Sequence, residues 1–228
     1  MGNLTIMGND EFVNKFAVIG DPIKHSIGPF LHNEVFKQLG LSANYQKIFV
    51  ENRNLKRFIT QNDIKRLNGF NVTIPHKNKI INYLDVINPR AIEIGAVNCV
   101  LNKNNQFWGF NTDWYGFSMA LKQNKIDIFN KSILILGAGG VAHSVLYSLI
   151  RGNVNQVFIK NRTKKNTDTL INNFKSMSNE INIVDYNNVN PKNSDYDILI
   201  NCTSLGMNPF QKYSPLNEEL ILPKHTVI

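Results

Sequence analysis

Apolar positions recur along this chain at two spacings, and the clearest stretch lies past its middle. Ser132–Leu136 (SILIL) is a short apolar run with glycines behind it, the pattern of a strand buried on both faces. Val141, Val145, Leu146 and Leu149 then recur at helical spacing and predict a helix over 141–150. Residues 156–160 read as a second strand, 164–178 as a helix with a polar face, and 181–184 and 197–201 as two more strands. Strand alternating with helix predicts a parallel, doubly wound sheet for this half.

The first half has its own alternation. Phe16–Gly20 reads as a strand ending in a Gly-Asp-Pro turn, and 29–39 as a helix opened by Pro29 and closed at Gly40. A strand over 45–50, a helix over 54–60 and a strand over 70–73 follow. Residues 96–110 read as a hairpin turning at Lys103-Asn104-Asn105. The expected architecture is α/β throughout, with one domain over 1–112 and a second over 113–228. The boundary is placed near Thr112, inside a connecting helix that runs to Asn124.

Composition narrows the class. The hydrophobic share of 43% is ordinary for a globular protein, and no apolar run approaches the ~18 residues of a membrane span. The first residues lack the basic region and apolar core of a secretion signal, and Ile6 stands where N-myristoylation wants Ser or Thr. A cytoplasmic location is the simplest expectation. Cys99 and Cys202 are far apart, read as buried thiols, and form neither a metal spacing nor a disulfide framework, so no metal is expected. The net charge of +8 is spread over scattered lysines. It suits a solvated basic surface or a field that attracts small anions, and no basic stripe interleaved with aromatics points to nucleic acid.

Chemistry enters at the glycines. Gly137-Ala138-Gly139-Gly140-Val141-Ala142 follows a strand and opens a helix, the context a dinucleotide fingerprint requires. The first glycine allows a tight turn, the second lets backbone approach a pyrophosphate, and the helix start offers free N–H groups to that anion. About 20 residues on, an NAD site would carry an acid for the ribose hydroxyls. This chain has Asn161-Arg162-Thr163-Lys164-Lys165 instead, where arginine and lysine suit a 2′-phosphate, so NADP is the expected cofactor.

Several further segments fall in one order: Pro22–Pro29 (PIKHSIGP), Asn71–Lys77 (NVTIPHK), Gly95–Asn98 (GAVN) and Gly109–Asp113 (GFNTD). With the GAGG turn, the Asn-Arg-Thr triplet and Asn201–Met207 (NCTSLGM), they make the chain resemble the shikimate dehydrogenase family over residues 16–228. The resemblance implies an N-terminal α/β substrate-binding domain followed by a Rossmann-type NADP-binding domain. It further implies reversible reduction of 3-dehydroshikimate to shikimate by NADPH, a step toward aromatic amino acids. Lys77 and Asp113 match the family's catalytic pair. Thr73 and Asn98 match residues that hold ring hydroxyls, and Ser26 the first of two serines on the substrate carboxylate. Thr203, in the last motif, is carried over as a cofactor contact.

Those residue types suit the chemistry. Hydride transfer to a ketone leaves an alkoxide-like oxygen, so a proton donor and acceptor must stand beside it. Lys77 can donate, Asp113 can orient it, and the proton is assigned to the pair rather than to either residue. Taken singly, Asp113 could equally cap the helix that follows it.

Two departures qualify the resemblance. Where the family has Ser-x-Ser, this chain has Ser26-Ile27-Gly28, which removes one hydroxyl and keeps quinate, bulkier beside its carboxylate, open as an alternative substrate. The chain also ends at His225-Thr226-Val227-Ile228, which reads as the start of another buried strand and as a truncated chain. A non-catalytic NADP-binding remnant therefore stays an alternative. A homodimer is left open.

Overall fold

The computed structural model describes residues 13–177, 181–186, 196–207, 210–216 and 226–227. The expectations placed on the first twelve residues, on residue 178, and on His225 and Ile228 lie outside them. The chain divides into two compact units, Met1–Thr112 and Asp113–Ile228.

The first unit is built on a six-stranded sheet. Its strands are β1 (Asn14–Gly20), β2 (Ala43–Phe49), β3 (Gly69–Val72), β4 (Val86–Ile87), β5 (Cys99–Lys103) and β6 (Gln106–Phe110), in the order β2-β1-β3-β5-β6-β4. The β1, β2 and β3 pairings are parallel, whereas β5 runs antiparallel to both β3 and β6. Helices α1 (Gly28–Gln38), α2 (Leu55–Thr60) and α3 (Pro89–Ile94) occupy the connections. The core centres on Ile19, Val50, Phe58, Phe70, Val100 and Phe107, with Phe70 edge-on to both Phe58 and Phe107. The hairpin turns at Asn104 and Asn105, with φ of 53° and 62°, the left-handed values a two-residue turn matched to sheet twist requires. At the outer edge of β2, Asn33 of α1 pairs with Tyr45 as a neighbouring strand would: its Nδ2 donates to the Tyr45 carbonyl (2.9 Å) and its Oδ1 accepts from the Tyr45 N–H (2.7 Å).

The second unit carries β7 (Ser132–Leu136), β8 (Gln156–Lys160), β9 (Asn182–Asp185) and β10 (Ile198–Asn201), all parallel, in the order β10-β7-β8-β9. That order places a topological switch between β7 and β10, where open α/β sheets bind ligands outside the strands' carboxyl ends. Its helices are α4 (Asp113–Gln123), α5 (Gly140–Arg151) and α6 (Lys164–Phe174). Helix α5 is buried from Ala142 to Ile150, and its Ser148 Oγ donates to the Trp114 carbonyl of α4 at 2.8 Å. Asp197 fixes β10 to β7 by accepting from the Ser132 N–H (2.9 Å) and pairing with Lys131 (3.3 Å).

Four expectations are corrected. Asp113 is itself the first helical residue, where its charge complements the helix dipole, so it is not the residue before the helix. Helix α6 stops at Phe174, its last buried side chain, short of the expected 178. Val227 forms a parallel bridge to Ile198 of β10 and is 46% exposed, so this described position of the expected strand pairs with the sheet without being buried. Cys99 and Cys202 are half-buried rather than fully so, although burial still pushes the Cys202 thiol up to about 12.

Candidate active site

Register gathers the predicted residues of the first unit at one end of its sheet. Ile19 pairs with Val72, Asn71 with Cys99, and Cys99 with Phe110. The segments that leave β1, β3 and β6 and the segment that enters β5 therefore share that end. These four segments carry Ser26 and Gly28, Thr73 and Lys77, Thr112, and Asn98 respectively.

Lys77 and Asn98 are both only 8% exposed, unusual for polar side chains and a sign of a site rather than a surface. The turn that carries Lys77 is tied down at several points. The Val97 N–H donates to the Lys77 carbonyl (2.8 Å), the His76 N–H to the Thr73 carbonyl (3.0 Å), and the Thr73 N–H to the Ile19 carbonyl (3.0 Å). His76 is fully buried, with Nε2 2.7 Å from the Val50 carbonyl oxygen. Burial pulls its pKa below the usual imidazole value, against the opposing pull of that hydrogen bond and of Asp21.

Asn98 connects the site to the start of the second unit along the chain. Its Oδ1 accepts from the Thr112 N–H (2.8 Å) and its Nδ2 donates to Thr112 Oγ1 (2.9 Å), directly before Asp113. Asn71 Nδ2 donates to the Asn98 carbonyl (3.2 Å), and the Tyr45 hydroxyl donates to Asn71 Oδ1 (2.6 Å). Sequence reasoning missed Tyr45, Asn71 and Thr112 as parts of this network. Asn71 lay inside a quoted motif, but Tyr45 offered no local signal. Ser26 accepts from the Gly28 N–H at 3.3 Å.

In the second unit, Gly137, Asn161 and Cys202 each follow the carboxyl end of a strand, since Leu136 pairs with both Lys160 and Asn201. Gly137 has φ of +102°, and a β-carbon there would lie 3.1 Å from the Cys202 backbone and from Thr203 Cγ2. Gly139 precedes α5 without any side-chain cap, and a β-carbon there would meet nothing within 4 Å. An open glycine before an uncapped helix start fits a pyrophosphate, with Gly140 and Val141 supplying the first N–H groups. Ala138 is buried in the turn. Asn161 Nδ2 donates to the Thr163 carbonyl (2.9 Å), which shapes the loop around an exposed Arg162. Lys164 pairs with Asp168 at 2.6 Å, while Lys165 is exposed beside it. Thr203 Oγ1 donates to Asn201 Oδ1 (2.7 Å).

Comparison with known proteins identifies the lineage. The family model for the shikimate dehydrogenase substrate binding domain matches residues 18–100, and that for shikimate / quinate 5-dehydrogenase matches 119–213. The shikimate dehydrogenase (NADP(+)) of Methanosphaera stadtmanae is 39% identical over 93% of this chain and 76% of its own length. The crystal structure of shikimate dehydrogenase from Aquifex aeolicus superposes with a TM-score of 0.80 at 34% identity, covering 97% of this chain and 79% of that one. A Thermus thermophilus shikimate 5-dehydrogenase, solved in complex with NADP(H) and shikimate, gives a TM-score of 0.75 at 32% identity over 92% and 75% of the two chains. Matched in both halves and along nearly its whole length, the chain belongs to the shikimate dehydrogenase family.

Proposed function

We propose that this chain reversibly reduces 3-dehydroshikimate to shikimate with NADP(H), a step toward aromatic amino acids. The observation that carries the reading is the convergence, by strand register, of buried Lys77 and Asn98 with Ser26 and Thr73 at one end of the first sheet. The curated relatives are named for this activity with NADP, which supports shikimate over quinate.

The first unit, 1–112, is read as the substrate-binding domain and the second, 113–228, as the NADP-binding domain. Ser26 and the backbone at Gly28 take the carboxylate, and Thr73 and Asn98 take ring hydroxyls. Lys77 delivers a proton to the oxygen as the ketone becomes an alcohol and recovers it in the reverse direction. Asp113 orients Lys77 and the hydroxyl. Gly137 to Val141 and Thr203 would hold the pyrophosphate side of the cofactor. Asn161 to Lys165 would hold its 2′-phosphate, with Arg162, Lys164 and Lys165 all exposed and Lys164 paired with Asp168. When bound, the reduced nicotinamide supplies the hydride.

Turnover of shikimate and of quinate, each with NADP+ and with NAD+, tests the reading. Shikimate with NADP+ is the expected fastest pair. Faster turnover of quinate would replace the substrate, and silence in every pair from folded, NADP-binding protein would replace the enzyme reading with the NADP-binding remnant.

Two coarser matters belong here. Among the described residues no helix is long and apolar enough to cross a membrane, and a cytoplasmic location fits free, separated thiols. The homodimer reading draws on α1, where Phe30, Leu31 and Val35 are at least half exposed. Sedimentation over a range of concentrations decides it.

A further inference from the structure

His76, the residue before Lys77, is fully buried, and its one printed bond leads to a different part of the first sheet. Its Nε2 lies 2.7 Å from the carbonyl oxygen of Val50, the residue that follows β2. A carbonyl can only accept, so Nε2 carries a proton whether the ring is neutral or charged. The neutral ring then keeps a lone pair on Nδ1, and that buried nitrogen meets no hydrogen-bond partner among the described residues. A second proton placed there would find no acceptor, and a buried cationic donor without one is strongly disfavoured.

The Val50 segment is a firm anchor. Its side chain is fully buried in the core, and its N–H donates to the Gly20 carbonyl at 3.2 Å. Lys79 ties the Lys77 turn to the same segment by donating to Asn52 Oδ1 at 2.8 Å, but that bond is exposed to water. The His76 bond is buried, so it is the one whose loss would leave a group unpaired. Few charges act on the ring. Burial is the largest influence and disfavours its charged form; the Val50 bond and Asp21 favour it, and Lys79 opposes it. Glu51, next to Val50, accepts from Arg53 Nε (2.7 Å) and Asn54 Nδ2 (2.9 Å).

We propose that His76 is a positioning residue for Lys77: the neutral ring pins the turn to the end of β2, and protonation at Nδ1 releases the pin. The inference rests on the proton-transfer role given to Lys77 above. A reacting group misplaced by about 1 Å can lose about 100-fold in rate, so the pin acts on the chemical step. It touches neither substrate nor cofactor, so their binding depends on it much less. Below the pH at which His76 takes its second proton, Lys77 is no longer held in place, and turnover falls for a reason separate from the titration of Lys77 and Asp113.

The test is kcat and KM for shikimate with saturating NADP+, from roughly pH 5.5 to pH 8.5, on the whole chain, His76→Gln and His76→Phe. Glutamine keeps an N–H donor for Val50 and does not titrate, whereas phenylalanine fills the space without a donor. At the alkaline end His76→Phe is expected to lose about tenfold or more in kcat with KM within about threefold, and His76→Gln to stay within about threefold in both. On acidification the parent's kcat is expected to fall below about pH 6.5 more steeply than that of His76→Gln. A loss common to all three belongs to Lys77 and Asp113. A merely structural part for His76 would lower urea midpoints without separating kcat from KM. Parental kcat in His76→Phe overturns the proposal, as do matching acid profiles for the parent and His76→Gln. If His76→Phe does not fold, that second comparison decides. A parent chain that binds NADP+ but turns over no shikimate would remove the substrate reading itself, and the proposal with it.

Discussion

Lys77 owes its position to main-chain bonds on both sides of the turn that carries it, so its side chain can be changed without dismantling the turn. Lys77→Met is expected to lower kcat by roughly 100- to 10,000-fold, the range of a lost general acid, with a much smaller change in KM. Steady-state kinetics at saturating NADP+ checks this. His76, next in the chain, makes stability depend on pH. Its folded pKa lies below the unfolded value of about 6.5, so the unfolded chain binds the proton more readily between the two. The contribution of neutral His76 is complete above that unfolded value and is lost as pH falls toward the lowered folded one. Urea midpoints are expected to drop between pH 7.5 and pH 5.5, and to drop less in His76→Gln. Lys77, Asn98 and Thr73 were legible because each sits in a short motif. Tyr45 was not, because its hydroxyl reaches Asn71 across 26 positions of sequence, a distance over which neither spacing nor periodicity carries information.

The two glycines before α5 perform different work within one turn. At Gly137 the backbone is left-handed and the Cys202–Thr203 segment is 3.1 Å from where a β-carbon would stand. Gly137→Ala is therefore expected to destabilise the second unit by about 1–3 kcal/mol, seen as a lower denaturant midpoint. At Gly139 nothing lies within 4 Å, so Gly139→Val is expected to leave the midpoint within about 0.5 kcal/mol and to weaken NADP+ binding at least roughly tenfold by obstructing the helix start. Fluorescence titration with NADPH separates the two. Elements of the second half were legible because buried parallel strands are continuous apolar runs, as Ser132–Leu136 shows. The mixed direction of the first sheet was less so. The hairpin was visible in its Asn-Asn turn, but the antiparallel pairing of β5 with β3 is set by tertiary register, which no local pattern records.

Taken as a whole, the chain carries a net charge of +8 and is read as binding a polyanionic cofactor and an anionic substrate. A positive field speeds encounter with such ligands and is screened over about 8 Å at physiological salt. The association rate of NADP+ is expected to fall several-fold between 20 mM and roughly 500 mM salt, with the dissociation rate changing less, in stopped-flow measurements. The division into two units was visible as two separate strand–helix alternations, and the two compact units have the bounds read from the sequence, 1–112 and 113–228. The asparagine on the rim of β2 matters at this scale as well. An unshielded sheet margin is a template on which another chain can add its own strand, and growth from such templates ends in insoluble aggregate. By occupying both hydrogen-bonding groups of Tyr45, Asn33 closes the midpoint of that margin with a side chain that cannot itself be extended. Asn33→Ala should consequently turn concentrated solutions cloudy sooner on gentle heating, by light scattering, even at temperatures where circular dichroism still reports a folded protein.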